Sequence, residues 1–126
     1  MHVRTATADE VPAVMNVLDG AVLSIAVETV RAGAADGDTL VAVSDGDPGA
    51  ERVLGALVLD GTHVEAVAVR RRRRGQGIGT ALVEAALDRR DRITAEFDAD
   101  VRPFYEALGF AIEALDEPDR FRGERA

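Results

Sequence analysis

Val67-Ala68-Val69-Arg70-Arg71-Arg72-Arg73-Arg74-Gly75-Gln76-Gly77-Ile78-Gly79-Thr80 is the stretch on which the fold and chemistry of this 126-residue chain turn. It joins a strand-like apolar run to a helical stripe formed by Ile78, Leu82, Ala85 and Ala86, widened by Val83 and Leu87 and reaching about Arg90. Three glycines let consecutive backbone amides approach an anion without a Cβ in the way. The helix behind them adds its unpaired first N–H groups and the positive end of its dipole. Arginine supplies counter-charge and fork-shaped donors that match phosphate. Together these are the parts of a diphosphate cradle. A P-loop would need Gly-Lys-Ser/Thr, and the chain has no lysine. A dinucleotide fingerprint would need Gly-x-Gly-x-x-Gly, whereas the spacing is Gly75-x-Gly77-x-Gly79.

Upstream, Thr39–Ser44, Arg52–Leu59 and Thr62–Val69 alternate or run apolar at strand length, giving an antiparallel meander. Asp45-Gly46 begins the first connection, a longer loop with Pro48, and Asp60-Gly61 signals a tight hairpin in the second. Before the meander, His2–Thr5 reads as a strand and Thr7-Ala8-Asp9-Glu10 has capping-box spacing. Val11, Val14, Met15 and Leu18 then recur at helical spacing, with Pro12 near the helix start. Asp19-Gly20 breaks this helix, Ala21–Arg31 reads as a second one, and Gly33–Asp38 as a loop. Downstream, Ile93–Phe97 is a strand, Val101–Leu108 a helix ended by Gly109, and Phe110–Ala114 a strand. Strand, helix and strand around the glycine loop imply a right-handed parallel crossover. The expected architecture is a mixed α/β sheet with helices on its faces, in one domain spanning 1–126.

The hexamer Arg74-Gly75-Gln76-Gly77-Ile78-Gly79 resembles the acyl-CoA loop of the GNAT superfamily of N-acetyltransferases, whose signature is Gln/Arg-x-x-Gly-x-Gly/Ala. Pro103-Phe104-Tyr105-Glu106-Ala107-Leu108-Gly109-Phe110 is similar to that family's late helix, and Val3–Glu10 to its first strand and helix start. The resemblance implies a GNAT-like fold whose parallel crossover strands splay at the cofactor site. It implies that Val67 and Val69 pair with the pantetheine arm of acetyl-CoA. Arg74 and the loop Gly75, Gln76, Gly77, Ile78, Gly79 and Thr80 would then hold the diphosphate. One or two of Arg70–Arg73 would meet the cofactor and the rest face water. Tyr105 matches the position of a tyrosine that protonates the departing thiolate, its phenol being a weaker acid than a thiol.

The resemblance implies a proton acceptor for the amine, in many family members a glutamate on the fourth strand acting through water, and strand alternation sets His63 and Glu65 on the same side as Val67 and Val69. Glu65 or His63 could take the proton, and either could equally be a solvent-facing strand residue. Asp98 and Asp100 form a second carboxylate pair, with Asp100 alternatively the cap of the next helix. The activity implied is transfer of an acetyl group from acetyl-CoA to a primary amine by direct attack in a ternary complex. Two rivals stand beside it: a catalytically silent CoA-binding regulatory domain, and a nucleic-acid-binding module built on Arg70–Arg74.

Composition bears on those rivals. Fifteen basic residues, all arginine, stand against 23 acidic ones, a net charge of −8. Arg70–Arg74 hold five of those positive charges; the ten other arginines against 23 carboxylates leave −13 elsewhere. That balance, with only five aromatics, argues against nucleic acid. A lysine-free acidic chain rich in Ala and Val suggests adaptation to high salt. Zero cysteine excludes disulfides, thiolate metal sites and an acyl-cysteine route. No metal is expected. The expected partner is a small-molecule or peptide amine, with homodimerisation an option left by the short C-terminal strand pair. The absence of a signal-like apolar N-terminus or an 18-residue apolar run sets the expectation of a cytoplasmic protein without membrane contact.

Overall fold

The meander and the crossover meet in one seven-stranded sheet. In the computed structural model, which describes residues 1–20, 25–45 and 52–126, the strands are β1 (His2–Thr5), β2 (Thr39–Val43), β3 (Val53–Asp60), β4 (His63–Val69), β5 (Ile93–Asp98), β6 (Ala111–Ala114) and β7 (Arg120–Arg125). The order across the sheet is β1-β2-β3-β4-β5-β7-β6, with β4 and β5 the one parallel pair. The helices are α1 (Val11–Gly20), α2 (Val27–Asp36), α3 (Ile78–Arg89) and α4 (Arg102–Ala107). Among the described residues no helix is long and apolar enough to cross a membrane.

Alternation along the strands sorts the apolar side chains into two cores. Val41, Val43, Ala56, Val58, Ala66 and Ala68 pack with α1 and α2 through Val14, Val17, Leu18 and Val30. On the opposite face Leu40, Leu57, Ile93, Ala95 and Phe97 pack with α3 through Ile78, Leu82, Val83 and Ala86, and with Tyr105 and Leu108. The stripe read from the sequence is thus the buried face of α3. Gly55 sets how closely α3 lies on the sheet: a Cβ there would come within 2.9 Å of the Ala68 carbonyl and 3.1 Å of Ile78 Cγ2.

The N-terminal segment follows its local signals. The Glu10 carboxylate accepts from the Thr7 amide at 2.9 Å, and the Glu10 N–H donates to the Thr7 carbonyl at 3.0 Å. The β3–β4 hairpin turns on Gly61-Thr62, with Asp60 opposite His63, one residue later than Asp60-Gly61 suggests. Gly61, at φ +59°, takes the first corner of a primed turn. The connection from Gly46 to Pro48 and beyond lies outside the described residues.

Two expectations about the second helix are corrected. Of Ala21–Arg31, residues 21–24 lie outside the described residues, and Ala26 is extended, so the helix begins at Val27. It then continues through Gly33 to Asp36, where a loop was expected, and stops at Gly37 with φ +82°. Gly33 is there for space rather than as a breaker. A Cβ would stand 2.2 Å from Oγ1 of Thr39, the buried hydroxyl that donates to the Val30 carbonyl at 3.1 Å.

Candidate active site

The sheet opens between β4 and β5. These strands share a single register pair, His63 with Thr94, reinforced by the Thr94 N–H donating to the Thr62 carbonyl at 2.9 Å. Beyond that point they separate. The Arg70 N–H donates to Leu54 O at 2.8 Å, so counting back along an antiparallel ladder, Ala68 and Ala66 turn their backbone groups to β3. Val67 and Val69 therefore aim theirs into the gap toward β5. The Val69 carbonyl is met there by Arg74 Nε at 3.2 Å.

The bend that lets β4 leave its neighbour has a local cause. Its register with β3 passes from Val58–Ala66 to Leu59–Val64, leaving Glu65 unpaired in a β-bulge. The bulge also resets which way side chains point. Val64 joins Val67 and Val69 on the α3 face, so strict alternation fails at Glu65. The expectation that His63 and Glu65 share the face of Val67 and Val69 is corrected accordingly. His63, half-buried, meets Thr94 Oγ1 with Nδ1 at 2.9 Å, and Thr94 points away from the side of Ile93 and Ala95. Glu65 is exposed and lines a surface cavity beside α2 residues Glu28, Thr29 and Ala32.

At the open end of the gap stands the glycine loop. Gly75 and Gly77 take φ +77° and +82°, with nothing within 4 Å of where a Cβ would lie. Gly77 is the residue before α3, so no side chain caps this helix. The first amide bonded back is that of Ala81, to Gly77 O at 3.0 Å. The amides of Gly77, Ile78, Gly79 and Thr80 have no acceptor among the described residues, and the helix dipole adds to their pull. Four orphan donors beside the exposed Arg74 fit a diphosphate. A Cβ on Gly79 would lie 3.3 Å from Phe104, so α4 abuts the start of α3.

The arginine run divides. Arg70 turns back on the sheet, its Nε donating to the Val53 carbonyl at 2.6 Å. Arg71–Arg73 form an exposed single turn. None of Arg70–Arg74 makes an ion pair with a described carboxylate.

Tyr105 lies in the α3-side core, 3% exposed, stacked on Phe97 at 4.4 Å and edge-on to Phe104 and Phe110 at 5.0 Å. Burial pushes its phenol up to about 12. Its hydroxyl has no hydrogen-bond partner among the described residues. Asp98 accepts from Arg120 at 2.9 Å. Asp100 sits inside a single turn, Ala99–Val101, and caps nothing; the α4 N-cap is Val101 without a side-chain bond. The sequence reading missed Arg52 and Asn16, which line cavities around the arginine run. Nothing in their local sequence distinguishes them, because only the fold brings them there.

Residues 35–112 match the model of the acetyltransferase (GNAT) domain. No curated protein matches the sequence. Among solved structures, Rv2747 of Mycobacterium tuberculosis, in complex with CoA and a second ligand, superposes with a TM-score of 0.74 at 25% identity, over 90% of this chain and 74% of its own. A GNAT-family acetyltransferase from Bacillus cereus gives a TM-score of 0.79 at 16% identity, over 98% and 95%. A ribosomal-protein-alanine N-acetyltransferase from Brucella melitensis gives 0.73 at 19%, over 99% of both chains.

Proposed function

The chain belongs to the GNAT acetyltransferase family, and on that footing we propose that it transfers an acetyl group from acetyl-CoA to a primary amine by direct attack in a ternary complex. The observation that carries this reading is the conjunction of the β4–β5 gap with the unpartnered amides of Gly77–Thr80 at its open end. Arg74 and the loop Gly75–Thr80 hold the diphosphate, and the backbone of Val67 and Val69 pairs with the pantetheine arm. Bound acetyl-CoA supplies an activated acyl group on a thiolate leaving group. The Val69 N–H, aimed into the gap, offers a donor to charge developing on the carbonyl oxygen. Tyr105 stays protonated at any working pH and donates to the departing sulfur. The amine proton passes to solvent water, since Glu65 is turned toward α2 and lines a cavity apart from Val69.

A second reading keeps the binding and removes the turnover, and the burial of Tyr105 among three phenylalanines favours it. Two measurements separate the readings. Acetyl-CoA raises the melting temperature under both, since ligand bound only to the folded state stabilises it. Thiol release with a panel of amines occurs under the first alone and falls in Tyr105→Phe at unchanged acetyl-CoA affinity. Absence of any melting shift sinks both.

A further inference from the structure

A cleft of about 800 Å³ lies between the start of β3, the 71–73 turn and the segment leading into α1. Five arginines line it, Arg52 and Arg70 to Arg73, facing Asp9 and Glu10. Glu10 is already held by Arg4 through two bonds of 2.7 and 2.9 Å, which keep its carboxyl below the usual range. None of the five arginines is ion-paired with a described carboxylate, in a chain with 23 acidic residues. Among the described residues the cleft's five guanidiniums outnumber its two carboxylates, one of which is already bound to Arg4, so an oxyanion entering the cleft relieves their mutual repulsion while filling their forked donors.

The diphosphate cradle is a different place, since no residue of Gly75–Thr80 lines the cleft. The cleft instead adjoins the reacting end of β4. A second cavity, about 310 Å³, lies between Val69 and Asn16-Val17 of α1 and shares Arg70 and Arg71 with the first. An amine placed beside Val69 thus has a path under α1 that ends among arginines. We propose that this cleft is the acceptor subsite, and that the acceptor is an amine also carrying a carboxylate or phosphate group. The inference rests on the acetyl-transfer reading and specifies its substrate class. It runs against the charge of the whole chain, which alone would favour a polycation.

The test begins with the protein saturated with CoA, into which citrate and inorganic phosphate are titrated calorimetrically. Binding of either without loss of CoA is expected, weakened about tenfold or more in Arg52→Ser and Arg71→Ser, both exposed positions. Steady-state transfer to glutamate, O-phosphoserine and spermidine follows. Glutamate or O-phosphoserine should exceed spermidine in kcat/KM by about tenfold, and whichever leads identifies the oxyanion as carboxylate or phosphate. Arg52→Ser should raise the KM of that acceptor about tenfold while the KM of acetyl-CoA moves less than about twofold. Displacement of CoA by citrate would assign the arginines to the cofactor and overturn the proposal. So would a failure of both anions to bind, or a preference for spermidine. A chain that binds citrate through Arg52 but not acetyl-CoA would instead refute the acetyl-transfer reading, and the acceptor assignment with it.

Discussion

Gly77 answers two demands at once. Its φ of +82° turns the chain into α3, and its lack of a side chain leaves the first amides of that helix uncovered. An alanine there meets no neighbour, so the cost is backbone strain of about 1–2 kcal/mol rather than a clash. Gly77→Ala is therefore expected to fold with a melting point lower by several degrees and to bind acetyl-CoA about tenfold more weakly, because relieving the strain re-aims the amides. Gly77→Asn, which tolerates the left-handed region, should keep most of both; calorimetry and thermal melts decide. Tyr105 yields a prediction in pH. Its folded value of about 12 lies above the unfolded value of about 10. Between these the folded chain keeps a proton that the unfolded chain has lost, so stability is intact below pH 10 and falls as pH rises toward 12. The loss should total about 2–3 kcal/mol in denaturant titrations and be absent from Tyr105→Phe. The glycine loop and Tyr105 were legible in the sequence because their signals are local: glycine spacing, an uncapped helix start, an aromatic motif. Arg52 was not, because the four arginines it joins in the cleft lie eighteen or more residues away along the chain.

Elements carry the parts of the site that no residue pattern announces. Periodicity identified α3 and the meander, since a buried face is written directly into the order of apolar residues. The bulge at Glu65 leaves no such mark, and it undid the inference that His63 and Glu65 face the cofactor side. Gly33 misled in the opposite direction, its packing role against Thr39 reading as a helix stop. Insertion of β7 between β5 and β6 follows from pairing over a distance rather than from either strand's composition. The same long-range logic makes the His63–Thr94 bond the crotch of the splay, at the last point where β4 and β5 are paired. Thr94→Val keeps the shape but strands the half-buried imidazole, at a cost of about 1–2 kcal/mol. It should also raise the Kd for acetyl-CoA by loosening the gap where the pantetheine arm pairs. Thr94→Ser should restore both. A valine variant as stable as the parent would show that the bond holds nothing.

At the scale of the whole molecule, charge is partitioned rather than merely negative. A body of net −13 surrounds a run of five arginines beside the orphan amides and the acceptor cleft. The two regions should answer salt with opposite signs. Repulsion among surface carboxylates weakens as the screening length shrinks from about 10 Å at 0.1 M to about 3 Å at 1 M. Raising KCl from 0.1 to 2 M is therefore expected to raise the melting point of the unliganded chain. Potassium chloride is the salt to use, because sulfate stabilises folds generally by exclusion from their surfaces. Acetyl-CoA, a polyanion held by exposed guanidiniums and a helix dipole, should bind more weakly over the same range. Melting curves and binding isotherms measured in one KCl series separate the effects. If the melting point stays flat while binding weakens, the acidity is no adaptation to salt. The carboxylates would then act by directing anions away from the rest of the surface and toward the arginine-lined cleft and the glycine loop.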